Sequence, residues 1–200
     1  MTYPEAKIPG CQFHLGQAVQ RKIQEIGLIS TYRLSYPFKL FTKTLSALSY
    51  VDPIHIPELF QKTKLHEDFP ISLHPIFNYF YNNFICGMNS TRFPPALWNS
   101  LDSFSVDSLV RTNNAIEGRH SVFKNTFNNV RSSTIVFLDR LIEEEEVIRI
   151  KMISASINHS FRRRNKYIIM EQNVLEFLSE HTIDSDDVAG LLELARLLFY

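Results

Sequence analysis

The spacing of apolar residues constrains this 200-residue chain most, because along most of its length it has the period of an α-helix. Between residues 11 and 26 apolar side chains recur at intervals of three and four, and Gly27 follows as a stop signal. The same spacing predicts helices over residues 37–50, 53–64, 75–85, 114–128, 133–156 and 186–200. We therefore predict a mainly α fold.

Two segments depart from this pattern. Residues 86–110 contain Pro94-Pro95 and many Ser and Asn residues, which predicts a loop with at most a short helix at 96–99. The short apolar run 167–170 fits either a strand or the start of a helix. Little of the sequence is therefore committed to strands.

Composition excludes several classes of protein. Lys+Arg and Asp+Glu number 21 each, so any contact with nucleic acid must come from a local basic patch. Only two cysteines occur, which excludes a disulfide-stapled secreted scaffold. The first residues lack the apolar core of a signal peptide, and no run approaches the about 20 apolar residues of a membrane span, so we expect no membrane partner.

Cys11 and His14 stand three residues apart on one face of the first predicted helix. This spacing is half of a tetrahedral zinc site, and His74, Cys86 or His120 could complete it. The sequence offers no second paired motif. The residues therefore favour a buried cysteine beside a hydrogen-bonded histidine, and zinc is not expected.

The stretch 111–120 (RTNNAIEGRH) is the most distinctive in the chain. If Asn114 caps a helix, Glu117 can reach back to the N–H group of the cap, as in a capping box. The alternative is a metal-binding or catalytic carboxylate, with His120 nearby on the helix. Gly118 costs a helix about 1 kcal/mol relative to Ala, so a close backbone or ligand would explain its presence.

Two charged clusters have mainly structural interpretations. The glutamates at 143–146 cannot all point the same way on a helix, which favours a solvated face over a metal site. Arg162, Arg163, Arg164 and Lys166 could hold phosphate or direct nuclear import, but four charges by themselves favour a solvated turn.

Three stretches taken in order resemble a known family. They are residues 10–18 (GCQFHLGQA), 92–99 (RFPPALWN) and 111–120. Their order and separations resemble the C-terminal part of the Mutator-like element (MULE) transposase domain, which often accompanies FLYWCH-type zinc fingers. The resemblance covers roughly residues 8–155, and the tail from about residue 156 takes no part in it.

The resemblance implies an RNase H-like domain that uses two Asp and one Glu and is interrupted by a helical insertion, here mostly residues 27–111. Cys11 and His14 match the family's cysteine–histidine motif, and Glu117 matches its final carboxylate. Residues 1–155 would then be the C-terminal portion of the domain, and residues 156–200 a helical tail with a basic stretch. The family implies Mg²⁺ or Mn²⁺ as cofactor, DNA as partner and a nuclear location, with no small-molecule substrate.

The chain departs from the family pattern at the two aspartates. In the family both lie upstream of the cysteine–histidine motif, on strands of the sheet, but the ten residues before Cys11 contain no Asp. Asp102, Asp107 and Asp139 match no catalytic position. Glu117 alone would hold Mg²⁺ weakly, because two-metal chemistry places the ions between several carboxylates.

These observations lead to two hypotheses. The first is a truncated transposase fragment, inactive alone, in which Glu117 is the third metal ligand and Arg119 and His120 lie near the scissile phosphate. The second is a non-catalytic helical module that binds DNA or protein, with the basic residues 162–164 and Lys166 as DNA contacts.

Without the upstream sheet, the helices that carry Cys11 and Glu117 would expose their apolar faces or pack them on each other. We therefore expect an uncovered apolar patch and self-association.

Overall fold

The computed structural model describes residues 12–87, 91–101, 114–127, 133–158 and 165–199. Within these ranges the protein is mainly helical and contains no strand, which confirms the predicted class. The α-helices are α1 Gln12–Glu25, α2 Ile29–Leu34, α3 Tyr36–Ala47, α4 Ile56–Lys64, α5 His74–Phe80, α6 Pro95–Trp98, α7 Asn114–Asn125, α8 Thr134–Asn158, α9 Asn165–Glu180 and α10 Val188–Leu197. Short 3₁₀ helices span Leu48–Tyr50 and Ile71–Leu73, and a π-helical turn, Tyr81–Ile85, continues α5.

Two compact units divide the chain. The first comprises Met1–Arg111 together with Lys166–Tyr200, and the second is Thr112–Asn165. In the first unit α3 packs against α1, α2 and α10, while α1 also packs against α5 and α10 against α4. Residues distant in sequence therefore build one core.

Aromatic rings fill much of that core, as the 16 phenylalanines suggest. Phe77 is fully buried between Phe60 and Phe69, with ring centroids 5.1 and 4.8 Å away. Phe80 stacks on Phe84 at 4.8 Å. Such stacked and edge-to-face pairs add stability beyond the apolar area that they bury.

Local signals set several helix ends. Gly27 follows α1 with a φ of 75°, a left-handed conformation that suits glycine. The Ser35 hydroxyl accepts a hydrogen bond from the N–H group of Phe38 at 3.3 Å, which caps α3. Asp187 caps α10 by accepting from the N–H group of Gly190 at 2.8 Å.

Polar contacts join the start of α10 to α4 and the turn before it. His55 Nδ1 lies 3.0 Å from the Ser185 hydroxyl oxygen. The Lys62 ammonium donates to Glu58 at 2.7 Å and also to Asp186, and these two carboxylates raise the pKa of Lys62. These groups are partly or fully exposed, so their role is to orient α10 more than to stabilise it.

Two helices differ from the sequence prediction. Helix α2 is an addition: it has six residues, and although Ile29 and Tyr32 pack partly buried against the core, so short a helix shows no repeated apolar spacing. Helix α9 settles the ambiguity at 167–170 in favour of a helix start. Val174, buried in the first unit, is the main core residue that this helix supplies.

The second unit contains α7 and α8. The rings of Phe123 and Phe127 both approach that of Phe137 on α8, with centroids 5.9 Å apart in each case. Every buried side chain that the structure describes belongs to the first unit, and most of the described side chains of α7 and α8 are exposed. None of the helices in the described ranges has the length and apolar character needed to cross a membrane.

Candidate functional site

Helix α1 carries the described part of the cysteine–histidine motif. Its residues Leu15, Val19 and Ile23 are buried against the rest of the first unit. His14 is exposed on the same helix, and Cys11 lies outside the described residues. The expectation that this helix leaves its apolar face exposed or packs it on the Glu117 helix is therefore wrong, because α3 and α5 cover that face.

The second motif has a structural role in the first unit. Trp98 is buried, and its indole Nε1 donates to the carbonyl of Phe93 at 3.0 Å. The Asn99 side-chain amide donates to the carbonyl of Val51 at 2.6 Å, and the N–H group of Ser100 donates to the carbonyl of Ser49 at 2.7 Å. The motif thus ties the short helix α6 to the segment that follows α3.

The third motif begins helix α7 at Asn114, as predicted. Glu117 lies in the first turn of the helix, and Arg119 and His120 follow in the next. His120 is exposed, while the side chains of Glu117 and Arg119 lie outside the described part of the structure. The capping box and the metal-ligand role of Glu117 both remain predictions.

Gly118 lies inside α7 and is exposed. A Cβ placed on it would meet no described atom within 4 Å. Close packing against another described part of the backbone therefore does not account for this glycine, and the ligand explanation stays a prediction.

The residues proposed for zinc are spread over both units. His14, His74 and Cys86 are exposed residues of the first unit, and His120 belongs to the second. Among the described residues, no group of three or more His, Cys, Asp or Glu side chains could hold a metal ion.

The charged clusters lie on exposed helix surfaces where they are described. Arg140 donates to Glu143 at 2.6 Å, and Arg149 lies 3.8 Å from Glu145, both within α8. Lys166 is exposed at the start of α9, whereas residues 162–164 lie outside the described ranges. An open groove beside Lys166 is lined by Lys166, Ile169, Met170, Asn173, Leu197 and Phe199.

Helix α8 carries more exposed large apolar side chains than any other helix of the described residues. Eleven of its apolar side chains are exposed, at both ends of the helix: Ile135, Val136, Phe137, Leu138, Leu141, Ile142, Val147, Ile148, Ile150, Met152 and Ile153. The sequence hypothesis placed the uncovered patch on the helices of Cys11 and Glu117. The sequence signal that could have indicated an apolar patch on α8 is the length and apolar content of residues 133–156.

No family model, curated protein or solved structure matches this chain.

Proposed function

We propose that this chain is the C-terminal part of a MULE-type transposase domain, whose ancestral role is metal-dependent DNA cleavage and strand transfer. The observation that supports the proposal is the ordered trio of motifs, the third of which begins α7 at Asn114 and carries Glu117 one turn in. In this proposal Glu117 is the third acidic residue, with Arg119 and His120 beside the scissile phosphate. The family also implies a nuclear location.

The 200 residues by themselves do not fit a two-metal centre. When bound, Mg²⁺ or Mn²⁺ would neutralise the attacking and leaving oxygens, but that requires several carboxylates around the ions. Glu117 is the one family carboxylate with a counterpart in this sequence. Two aspartates supplied by another segment would have to complete the site, so we derive no catalytic step here.

The test is a nicking assay with supercoiled plasmid, Mg²⁺ or Mn²⁺, and the 200-residue chain. We expect no nicking above that of the Glu117→Gln variant, because one carboxylate cannot hold both ions. Nicking that disappears in Glu117→Gln would contradict the expected inactivity. The genomic DNA upstream of Met1 tests the ancestry: a continuous reading frame that encodes strands with two aspartates supports it, and an unrelated frame contradicts it.

A second function, a non-catalytic helical module that binds DNA or protein, is favoured by the exposure of α7 and α8. For DNA, the proposed contacts are the basic residues 162–164 and Lys166. Neutralised phosphates release counterions, so affinity falls with salt at a logarithmic slope of about 0.9 per contact on duplex DNA.

The test of DNA binding is the salt dependence of fluorescence anisotropy with a labelled duplex. Replacing Arg162, Arg163 and Arg164 by Ala should lower the slope by up to about 3 units, at about 0.9 for each lost contact. The matched control replaces three exposed arginines of the first unit, Arg21, Arg33 and Arg92, by Ala. Equal loss in both triple variants would show that general charge, not this cluster, binds the DNA.

A further inference from the structure

Helix α8 carries a row of exposed side chains at alternating intervals of three and four. We call this row the heptad stripe; it consists of Ile135, Leu138, Ile142, Glu145, Arg149 and Met152. Its apolar members are among the most exposed in the described structure, with Ile135 at 72%, Ile142 at 63% and Met152 at 68%. This spacing is the one by which two α-helices pack along each other in a coiled coil.

The two charged residues at the centre of the stripe restrict what can cover it. Glu145 and Arg149 are both exposed and lie 3.8 Å apart on the same helix. A partner helix that places a positive charge against Glu145 and a negative charge against Arg149 adds a second contact to each member of this ion pair. An entirely apolar partner would desolvate this ion pair and offer neither charge a contact across the interface.

A second copy of α8 provides these charges in one orientation. If the two helices run antiparallel about a two-fold axis at Val147, Glu145 of each copy faces Arg149 of the other. The next layers outward place Ile142 of each copy against Met152 of the other. A parallel pair in register would instead place Glu145 against Glu145 and Arg149 against Arg149, which repel.

We infer that α8 is a homodimerisation helix that pairs antiparallel through the heptad stripe, with the Glu145–Arg149 layer at its centre. The inference does not depend on the proposed function. The layers that pair members of the stripe with each other run from Ile142 to Met152, about 15 Å at the rise of an α-helix, so the interface is small. Association is therefore reversible and depends on protein concentration.

The first experiment is sedimentation analysis of the full chain over a range of concentrations, for the wild type and single charge reversals. We expect the wild type to dimerise. Glu145→Arg and Arg149→Glu should each raise the dissociation constant at least about tenfold, because each creates two like-charge contacts per dimer. Both side chains are exposed and helical, so neither change should disturb folding, which circular dichroism checks.

Mixing the two variants provides the decisive comparison. One copy then carries two positive charges at the centre of the stripe and the other carries two negative charges, so the mixture should form heterodimers at wild-type concentrations. Lys151→Glu is the matched control, because it reverses an exposed charge two residues after Arg149, about 200° around the helix and on the face away from the stripe. We expect this control to dimerise like the wild type.

Disulfide trapping tests the orientation in a background where Cys11 and Cys86 are replaced by Ser. A mixture of Ile142→Cys and Met152→Cys chains should form a disulfide-linked heterodimer, and Ile142→Cys alone should not. Cross-linking of Ile142→Cys with itself would instead show a parallel pair and overturn the inference. A monomeric wild type, or reversals no more damaging than Lys151→Glu, would also overturn it.

Discussion

The start of helix α10 offers a quantitative test of local stability, because two neighbouring residues compete there for space. The Asp187 carboxylate caps the helix by accepting from the N–H group of Gly190 at 2.8 Å. A Cβ built on Gly190 would lie 2.0 Å from Oδ2 of Asp187. Gly190→Ala must therefore displace the carboxylate and break the cap.

The magnitudes follow from two opposing effects. Gly to Ala inside a helix stabilises by about 1 kcal/mol, and loss of an Asp cap costs about 1 kcal/mol. Gly190→Ala should therefore leave the free energy of unfolding nearly unchanged, since gain and loss cancel. Asp187→Ala should lower it by about 1 kcal/mol. In the Asp187→Ala background, Gly190→Ala should restore about 1 kcal/mol, because the obstructing side chain is gone.

Urea unfolding followed by tryptophan fluorescence measures all four proteins of this double-mutant cycle. Trp98 is the single tryptophan of the chain and is buried in the same unit as α10, so its emission reports the relevant transition. The expected coupling is about 1 kcal/mol. If Gly190→Ala stabilises the protein by the same amount with and without Asp187, the reasoning from steric exclusion is refuted.

Three further substitutions test other parts of the structure. Gly118→Ala should stabilise α7 locally by about 1 kcal/mol, because no described atom obstructs a Cβ there. The measurement is amide hydrogen exchange in α7, which should become slower; unchanged or faster exchange would contradict this. Asn99→Ala should lower the free energy of unfolding by about 1–2 kcal/mol, because the Val51 carbonyl loses its donor, and a neutral result would show that water replaces the amide. Burial lowers the pKa of Lys43 below 10.5, so between the lowered pKa and pH 10.5 the unfolded chain binds more protons than the folded protein. The free energy of unfolding should therefore rise with pH over this range. In Lys43→Met it should rise less, and parallel pH curves for the two proteins would exclude this effect.

Much of the helical content could be predicted from the sequence, because apolar period and capping residues act over a few neighbouring positions. The beginning of α7 at Asn114 and the end of α1 near Gly27 are confirmed for this reason. Helix α2 could not be predicted, since its six residues are too few to show a repeated apolar spacing. For the candidate site, the sequence supplied Glu117, His120 and their neighbours, and the exposure of His14 and His120 came from the structure.

The sequence by itself determined the class of the fold and where the local signals begin and end helices, because those depend on residues within one or two turns. Tertiary structure alone decided which apolar faces are covered. The stripe of α1 is buried by α3 and α5, while the described apolar side chains of α8, a more apolar helix, remain exposed. Periodicity reports that a helix has an apolar face, but whether that face meets a core depends on contacts between residues far apart in the chain, such as those of α3 with α10.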